Sequence, residues 1–296
     1  MGYFLVDRFI YSKEKLNLEN TQTPQVFEEH HPALDEKIVY LDADVECLFL
    51  CHQENIGHFF LDYFFPFYSK WRKNKKKVLI SIFWHQVEVR IDFIKSIIDQ
   101  EYLIFAEQGV TYFFQNLELF PDGQTNIGFR HINRDPDFKE ICNEIRNRAY
   151  VSNGIVARKT RNLIATRSGL LRKNLLNVDV NFLFKHEIYQ VDLTTCTFKE
   201  LLEILSTAKV FVYVVGAGLF NLLFLEKDVK VIEINPYTNA SWAKHFGLAD
   251  MLPEFEVFVS DNIVLNSHGT QGDPRLDAHI NFDQSLKEKI LNKLSN

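Results

Sequence analysis

Val210 to Pro236 reads VFVYVVGAGLFNLLFLEKDVKVIEINP: an apolar strand, a tight glycine turn, a short apolar helix and a second strand. On this reading the first strand ends at Val215. Gly216 and Gly218 then let the chain turn and bring its backbone close to a ligand. A helix from Leu219 would aim unpaired N–H groups and the positive end of its dipole at a phosphate. Glu233, read as the end of the second strand, is placed to take ribose hydroxyls. The unit therefore predicts a parallel α/β sheet that binds a nucleotide. A purely structural βα turn is the competing reading, because Asn221 stands where a dinucleotide fold carries its third glycine.

Outward from this unit, strand and helix keep alternating. Downstream lie a helix over Trp242 to Leu248 and an amphipathic helix over Gln284 to Leu294. Upstream, Thr197 before FKELLEIL is an N-cap, with Glu200 completing a capping box. Before it come the strand IYQVDL, a helix over Asn174 to Phe184, and the strand NLIATR. Further back are a helix over Phe138 to Tyr150, short strands VTYFF and YLIFA, a helix over Gln86 to Gln100 and a buried strand KVLISIFW. A helix from about Asn55 to Lys73 carries Phe59, Phe60, Tyr63, Phe64 and Phe67 at core spacing. Lys37 to Leu50 reads as a strand pair. At 296 residues the chain is long for one hydrophobic core, so two α/β domains are expected, residues 1–155 and 156–275. The terminal helix, within 276–296, is expected to pack back on the first.

With 46% hydrophobic residues and 27 Phe, two cores can be filled. A formal net charge of −6 excludes a general nucleic-acid binder. Cys47, Cys51, Cys142 and Cys196 show neither a CxxC pair nor zinc spacing, and read as reduced thiols. Cys47, Cys51 and His52 lack the second ligand pair a metal site needs. The opening MGYFLVDRFIYSKEK has too short an apolar run for a signal or membrane anchor, which predicts a cytoplasmic protein. Asp42-Ala43-Asp44 spells DxD but is read as structural.

Three stretches in order, ENIGHFFLDYFFPFY (54–68), LIATRSGLLRKNLLN (163–177) and STAKVFVYVVGAGLFNLLFLEKDVKVIEINP (206–236), resemble glycosyltransferase family 61, which includes xylosyl- and GlcNAc-transferases. Asn55, His58, Asp62, Arg167, Arg172, Asn174, the Gly216–Leu219 turn, Asn221 and Glu233 fall on the matching positions. Val215 departs from the pattern, which commonly has histidine there. The resemblance implies two Rossmann-like domains facing a cleft (the GT-B arrangement), inversion at the anomeric carbon and no catalytic metal. It also implies a UDP-sugar donor, UDP-xylose first and UDP-GlcNAc next, with a glycan or glycoprotein acceptor.

Inverting transfer needs a base for the acceptor hydroxyl and a cationic or dipolar site for the diphosphate. His58 and Asp62 are at i and i+4 of a predicted helix and share a face. Asp62 is the preferred base, its proton affinity raised by the flanking aromatics, with His58 as acceptor binder or alternative base. Arg167 and Arg172 grip phosphate; Gly216, Ala217, Gly218 and Leu219 supply backbone donors; Asn221 fixes the turn or touches phosphate; Glu233 bridges the ribose. Trp242 and His245 could line the donor-sugar pocket, although a Trp opening an apolar helix is more often core. Two other functions compete: an NAD(P)- or flavin-dependent oxidoreductase using the same turn, and a non-catalytic sugar-binding module of the same fold.

Overall fold

The computed structural model describes residues 3–6, 25–27, 37–51, 59–82, 87–107, 110–116, 118–120, 136–167, 174–236, 241–265 and 278–295. They belong to two units, Met1–Val87 with Ile98–Gly128, and Glu88–Ile97 with Phe129–Asn296.

The first unit holds β1 (Tyr3–Val6), β2 (Gln25–Phe27), β3 (Lys37–Tyr40), β4 (Val45–Cys51), α1 (Phe65–Asn74), β5 (Lys77–Ile82), β6 (Leu103–Phe105), β7 (Val110–Phe114) and β8 (Glu118–Phe120). One sheet runs β2-β1-β7-β3; the other, β6-β5-β4-β8, is parallel throughout. Numbered 1 to 4 along the chain, the parallel strands lie in the order 3-2-1-4, so the winding reverses between β4 and β8. The expected strand pair over Lys37 to Leu50 is corrected. β3 joins β7 in one sheet, whereas β4 takes the middle of the other, where Cys47, Leu48 and Phe49 are buried as an interior parallel strand requires. The turn between them carries Asp42 and Asp44, and Asp44 pairs with Lys77 at 2.7 Å.

A π-helical turn, Phe59–Phe64, leads into α1. Pro66 lacks the N–H that an unbroken α-helix would pair with the Asp62 carbonyl, and the wider turn lies just before it. Phe59, Phe60, Tyr63, Phe64 and Phe67 are core, as their spacing predicts, with Phe49 meeting Phe67 at 4.9 Å and Phe59 at 6.2 Å. The helix stops at Lys75, a left-handed residue at φ 40° whose N–H donates to the Trp71 carbonyl.

The second unit holds α2 (Val87–Ile97), α3 (Phe138–Asn153), β9 (Arg161–Thr166), β10 (Leu175–Leu176), α4 (Val180–Lys185), β11 (Ile188–Asp192), α5 (Phe198–Leu205) and β12 (Ala208–Val214). After a 3₁₀ helix, Ala217–Phe224, come β13 (Lys230–Pro236), α6 (Trp242–His245), β14 (Phe255–Ser260), β15 (Ile263–Leu265), β16 (Ala278–Asn281) and α7 (Gln284–Ser295). The main sheet, β11-β9-β12-β13-β14, is parallel throughout, and in chain numbering its order is 2-1-3-4-5. The chain is thus mixed α/β with parallel sheets. One face of the main sheet buries Ile164, Val210, Val212, Val214, Ile232 and Ile234 against Leu183 of α4 and Leu286 and Ile290 of α7. Alternation sends Phe211, Tyr213 and Glu233 to the other face, where all three are also buried. The Thr197–Glu200 capping box opens α5 as predicted.

One expectation is corrected here. The helix expected over Asn174 to Phe184 starts only at Val180. Leu175–Leu176 pair with β16, Asn177 turns left-handed at φ 54°, and the Asp179 side chain caps α4 by accepting the Phe182 N–H. Helices α2 and α3 both belong to the second unit. Phe93 of α2 packs edge-on to Phe198, Phe220 and Phe224 at 5.5, 5.6 and 6.2 Å. Ser152 and Arg148 of α3 donate to the Ser96 and Ile97 carbonyls at the end of α2. Helix α7 belongs to the second unit as well. Its apolar face closes the second unit's core, and Lys293 is buried between Glu254 and Glu256. Among the described residues no helix is long and apolar enough to cross a membrane.

Candidate active site

In an open parallel sheet, ligands collect at the carboxyl ends of the strands where the winding reverses, because the loops there diverge and leave a crevice. For the 2-1-3-4-5 sheet that place is between β9 and β12. Arg167 follows directly on β9, and Gly216 lies two residues beyond β12. The topology therefore brings two predicted anion-binding elements to neighbouring strand ends. Arg167 is partly buried, and desolvation lowers its pKa while the charge of Asp192, at the end of β11, acts in the opposite sense. Its backbone is clamped by Asn174, whose Oδ1 accepts the Arg167 N–H at 3.3 Å and whose Nδ2 donates to the Arg167 carbonyl at 2.9 Å. Asn174 in turn donates its N–H to Nδ1 of His279 at 3.2 Å. Arg172 lies outside the described residues.

Val215 extends the β12 ladder, donating its N–H to the Ile234 carbonyl, and is 2% exposed, so this position presents no polar group. Gly216 then turns at φ 144° and ψ −150°, a region open only to glycine. The helix expected from Leu219 begins two residues earlier, at Ala217, and its winding is 3₁₀. Its ladder opens with the Leu219 N–H donating to the Gly216 carbonyl, so the Leu219 amide is spent within the turn. The amides of Ala217 and Gly218 precede the ladder and are the donors the turn can offer an anion. Asn221 follows Gly218 by one 3₁₀ turn, and its Nδ2 is 3.9 Å from where a Gly218 Cβ would stand. The far end of this helix is held by α3. Arg146 donates through Nη1 to the Leu225 carbonyl at 2.9 Å, and the Tyr150 hydroxyl donates to the Phe224 carbonyl at 2.6 Å.

Glu233 is not at a strand end. It is the central residue of β13, 0% exposed, and it accepts the hydroxyl of Tyr213, its register partner on β12. The strand runs on to Pro236 because Ile234, Asn235 and Pro236 keep pairing with β14, which leaves Glu233 well inside the sheet. Tyr213, Arg146 and Tyr150 are residues that sequence reasoning missed. Tyr213 had one available signal: a phenol in an all-apolar strand needs a buried acceptor for its hydroxyl.

In the first unit the Asp62 backbone lies in the π turn that follows β4, on the connection leaving the carboxyl edge at the 3-2-1-4 reversal. The i, i+4 argument linking it to His58 assumed α-helical winding, which this turn does not have. His58 and Asn55 lie outside the described residues, as does His52 of the Cys47–Cys51–His52 trio. Trp242 is no core residue: it is 46% exposed and stacks on buried Phe246, with His245 edge-on at 5.8 Å. It stands on α6, the next element described beyond the carboxyl end of β13.

Arg167 and the glycine turn thus stand at the two strand ends that flank the winding reversal of a parallel α/β sheet. The family Glycosyltransferase 61 matches residues 56–232, and the chain belongs to that family. It is a glycosyltransferase, and the family implies a nucleotide-sugar donor. Among solved structures the chain is similar to the bacterial iron-containing dodecameric glycosyltransferase TibC from enterotoxigenic E. coli H10407, with 15% identity over 92% of this chain and 82% of that one and a TM-score of 0.40. No curated protein matches the chain.

Proposed function

We propose that this glycosyltransferase is inverting and metal-independent, moving a sugar, xylose first and GlcNAc next, from a UDP-sugar to a glycan hydroxyl. The observation that carries the reading is the shared address of Arg167 and the glycine turn, at the two strand ends flanking the winding reversal. There the amides of Ala217 and Gly218 and the guanidinium of Arg167, joined by Arg172, take the charge of the leaving diphosphate. Asp62 is the base that removes the acceptor proton, with His58 as acceptor binder or alternative base. Its place in a π turn supports this, since such turns are frequent at functional sites. The two parallel sheets are then the two halves of a GT-B enzyme, the second taking donor and the first acceptor. Burial of Glu233 takes away the acid expected at the ribose, for a UDP-sugar as for a dinucleotide.

The test is release of free UDP from UDP-xylose and UDP-GlcNAc with and without glycan acceptors, on wild type and Asp62→Asn. Loss of the general base is expected to lower kcat by about 10² to 10⁴, with UDP still raising the melting temperature of the variant. Unchanged turnover in Asp62→Asn refutes the base assignment. Stabilisation by NADH and not by UDP refutes the donor.

A further inference from the structure

Directly beneath the glycine turn lies a buried acid–phenol pair to which the reading above gives no task. Tyr213 and Glu233 face each other across β12 and β13. Both are almost wholly inaccessible, and the phenol donates to Oε2 of the carboxylate. Burial, reinforced by the neighbouring carboxylate, pushes the Tyr213 phenol well up, which keeps it a donor at any physiological pH. The ring also faces the turn: a Cβ built on Gly218 would lie 3.5 Å from Cδ2 of Tyr213, so the ring stands within about a methyl's width of the glycine. Tyr213 thus lines the side of the turn at Gly218, and Glu233 holds the hydroxyl end of its ring. Phe211 stacks on the tyrosine ring at 5.7 Å and closes its other side.

We propose that Glu233 is a positioning residue: by accepting the Tyr213 hydroxyl it fixes the ring that lines the turn, and so sets the direction in which the Ala217 and Gly218 amides meet an anionic ligand. This rests on the reading that the turn takes the diphosphate of a nucleotide. It differs from a ribose-binding role in a way that can be measured. A ribose ligand acts on nucleoside and nucleotide alike, whereas a residue that aims amides at phosphate acts only on ligands that carry phosphate.

UDP, GDP and ADP are first screened by thermal shift on the wild-type chain, and the nucleoside diphosphate that stabilises it is titrated by calorimetry, with the matching nucleoside measured by competition. Tyr213→Phe keeps the ring and removes the donor. It is expected to weaken the diphosphate about fivefold to thirtyfold while nucleoside affinity changes by less than about twofold. Glu233→Gln keeps an acceptor oxygen at the same reach and is expected to stay within about threefold of wild type for both ligands. If Tyr213→Phe does not fold, Glu233→Ala, which removes the acceptor, takes its place and is expected to weaken the diphosphate about fivefold to thirtyfold with the nucleoside unchanged. Loss of nucleoside and diphosphate affinity together in Glu233→Gln makes Glu233 a ribose ligand and overturns the proposal. Wild-type diphosphate affinity in Tyr213→Phe overturns it too but leaves the nucleotide reading standing. Failure of all three diphosphates to stabilise the wild type removes both.

Discussion

Gly216 and Gly218 look alike in the sequence, but the structure asks different things of them. Gly216 sits at φ 144° and ψ −150°, where a side chain collides with its own backbone. Gly218 has no such angle, and a methyl there would meet Tyr213 and Asn221 at 3.5 and 3.9 Å, ordinary contacts. Gly216→Ala is therefore expected to cost about 1–3 kcal/mol of stability, and Gly218→Ala to stay within about 1 kcal/mol of wild type. Urea denaturation of both variants checks this; equal losses would mean that backbone strain is not what separates the two positions. The need for glycine at 216 was legible in the sequence, because a strand running into Gly-Ala-Gly can turn only through such angles. The place of Glu233 was not. Its burial depends on how far β13 continues along β14 and on Tyr213 reaching it from the next strand, and neither is a local property.

At the scale of the element, signals confined to one turn of chain were readable and signals from packing partners were not. The Thr197–Glu200 box predicted the start of α5 because both groups that satisfy the first amides lie within four residues. The 3₁₀ winding of Ala217–Phe224 has no comparable local signature, since its carbonyl end is fixed by Arg146 and Tyr150 from a helix some 70 residues earlier in the chain. That clamp carries a prediction. Arg146 is buried and also donates to Oδ1 of Asn143 at 3.0 Å, so Arg146→Met leaves the Leu225 carbonyl without this charged donor. A loss of about 1.5–3 kcal/mol is expected, read as a lower denaturation midpoint at unchanged m-value. Hydrogen exchange should quicken at the amides of the 3₁₀ helix before those of β12. Uniform quickening across the sheet would show instead that Arg146 supports the whole unit and not this helix end.

Across the second unit, alternating strand and helix foretold a parallel sheet, but not which helix belongs to it. Helix α7 shows why: its amphipathic face would suit either domain, and what assigns it is a set of charges distant in sequence. Lys287 pairs with Asp179 at 2.6 Å, and Lys289 and Lys293 both reach Glu256, Lys293 also reaching Glu254 at 3.1 Å. The Lys289 and Lys293 hydrogen bonds hold the Glu256 carboxyl below its usual range, and Lys287 followed by the Phe182 amide does the same for Asp179. A carboxylate whose folded-state pKa is depressed stabilises the fold above its unfolded pKa, near 4.5 for Glu256, and loses that contribution as the pH falls through the lower folded value. Acid is therefore expected to loosen α7 first. Lys293→Met, which removes an ammonium only 6% exposed, should cost about 1–2 kcal/mol at neutral pH, a figure kept low because Glu254 and Glu256 are 53% and 40% exposed and partly screened. Because the variant has less carboxylate pairing to lose, its stability should fall less than that of wild type as the pH drops from about 5 to about 2, measured by urea titration at each end. An equal fall in both proteins would place the acid sensitivity elsewhere and leave α7 held by Leu286 and Ile290 alone.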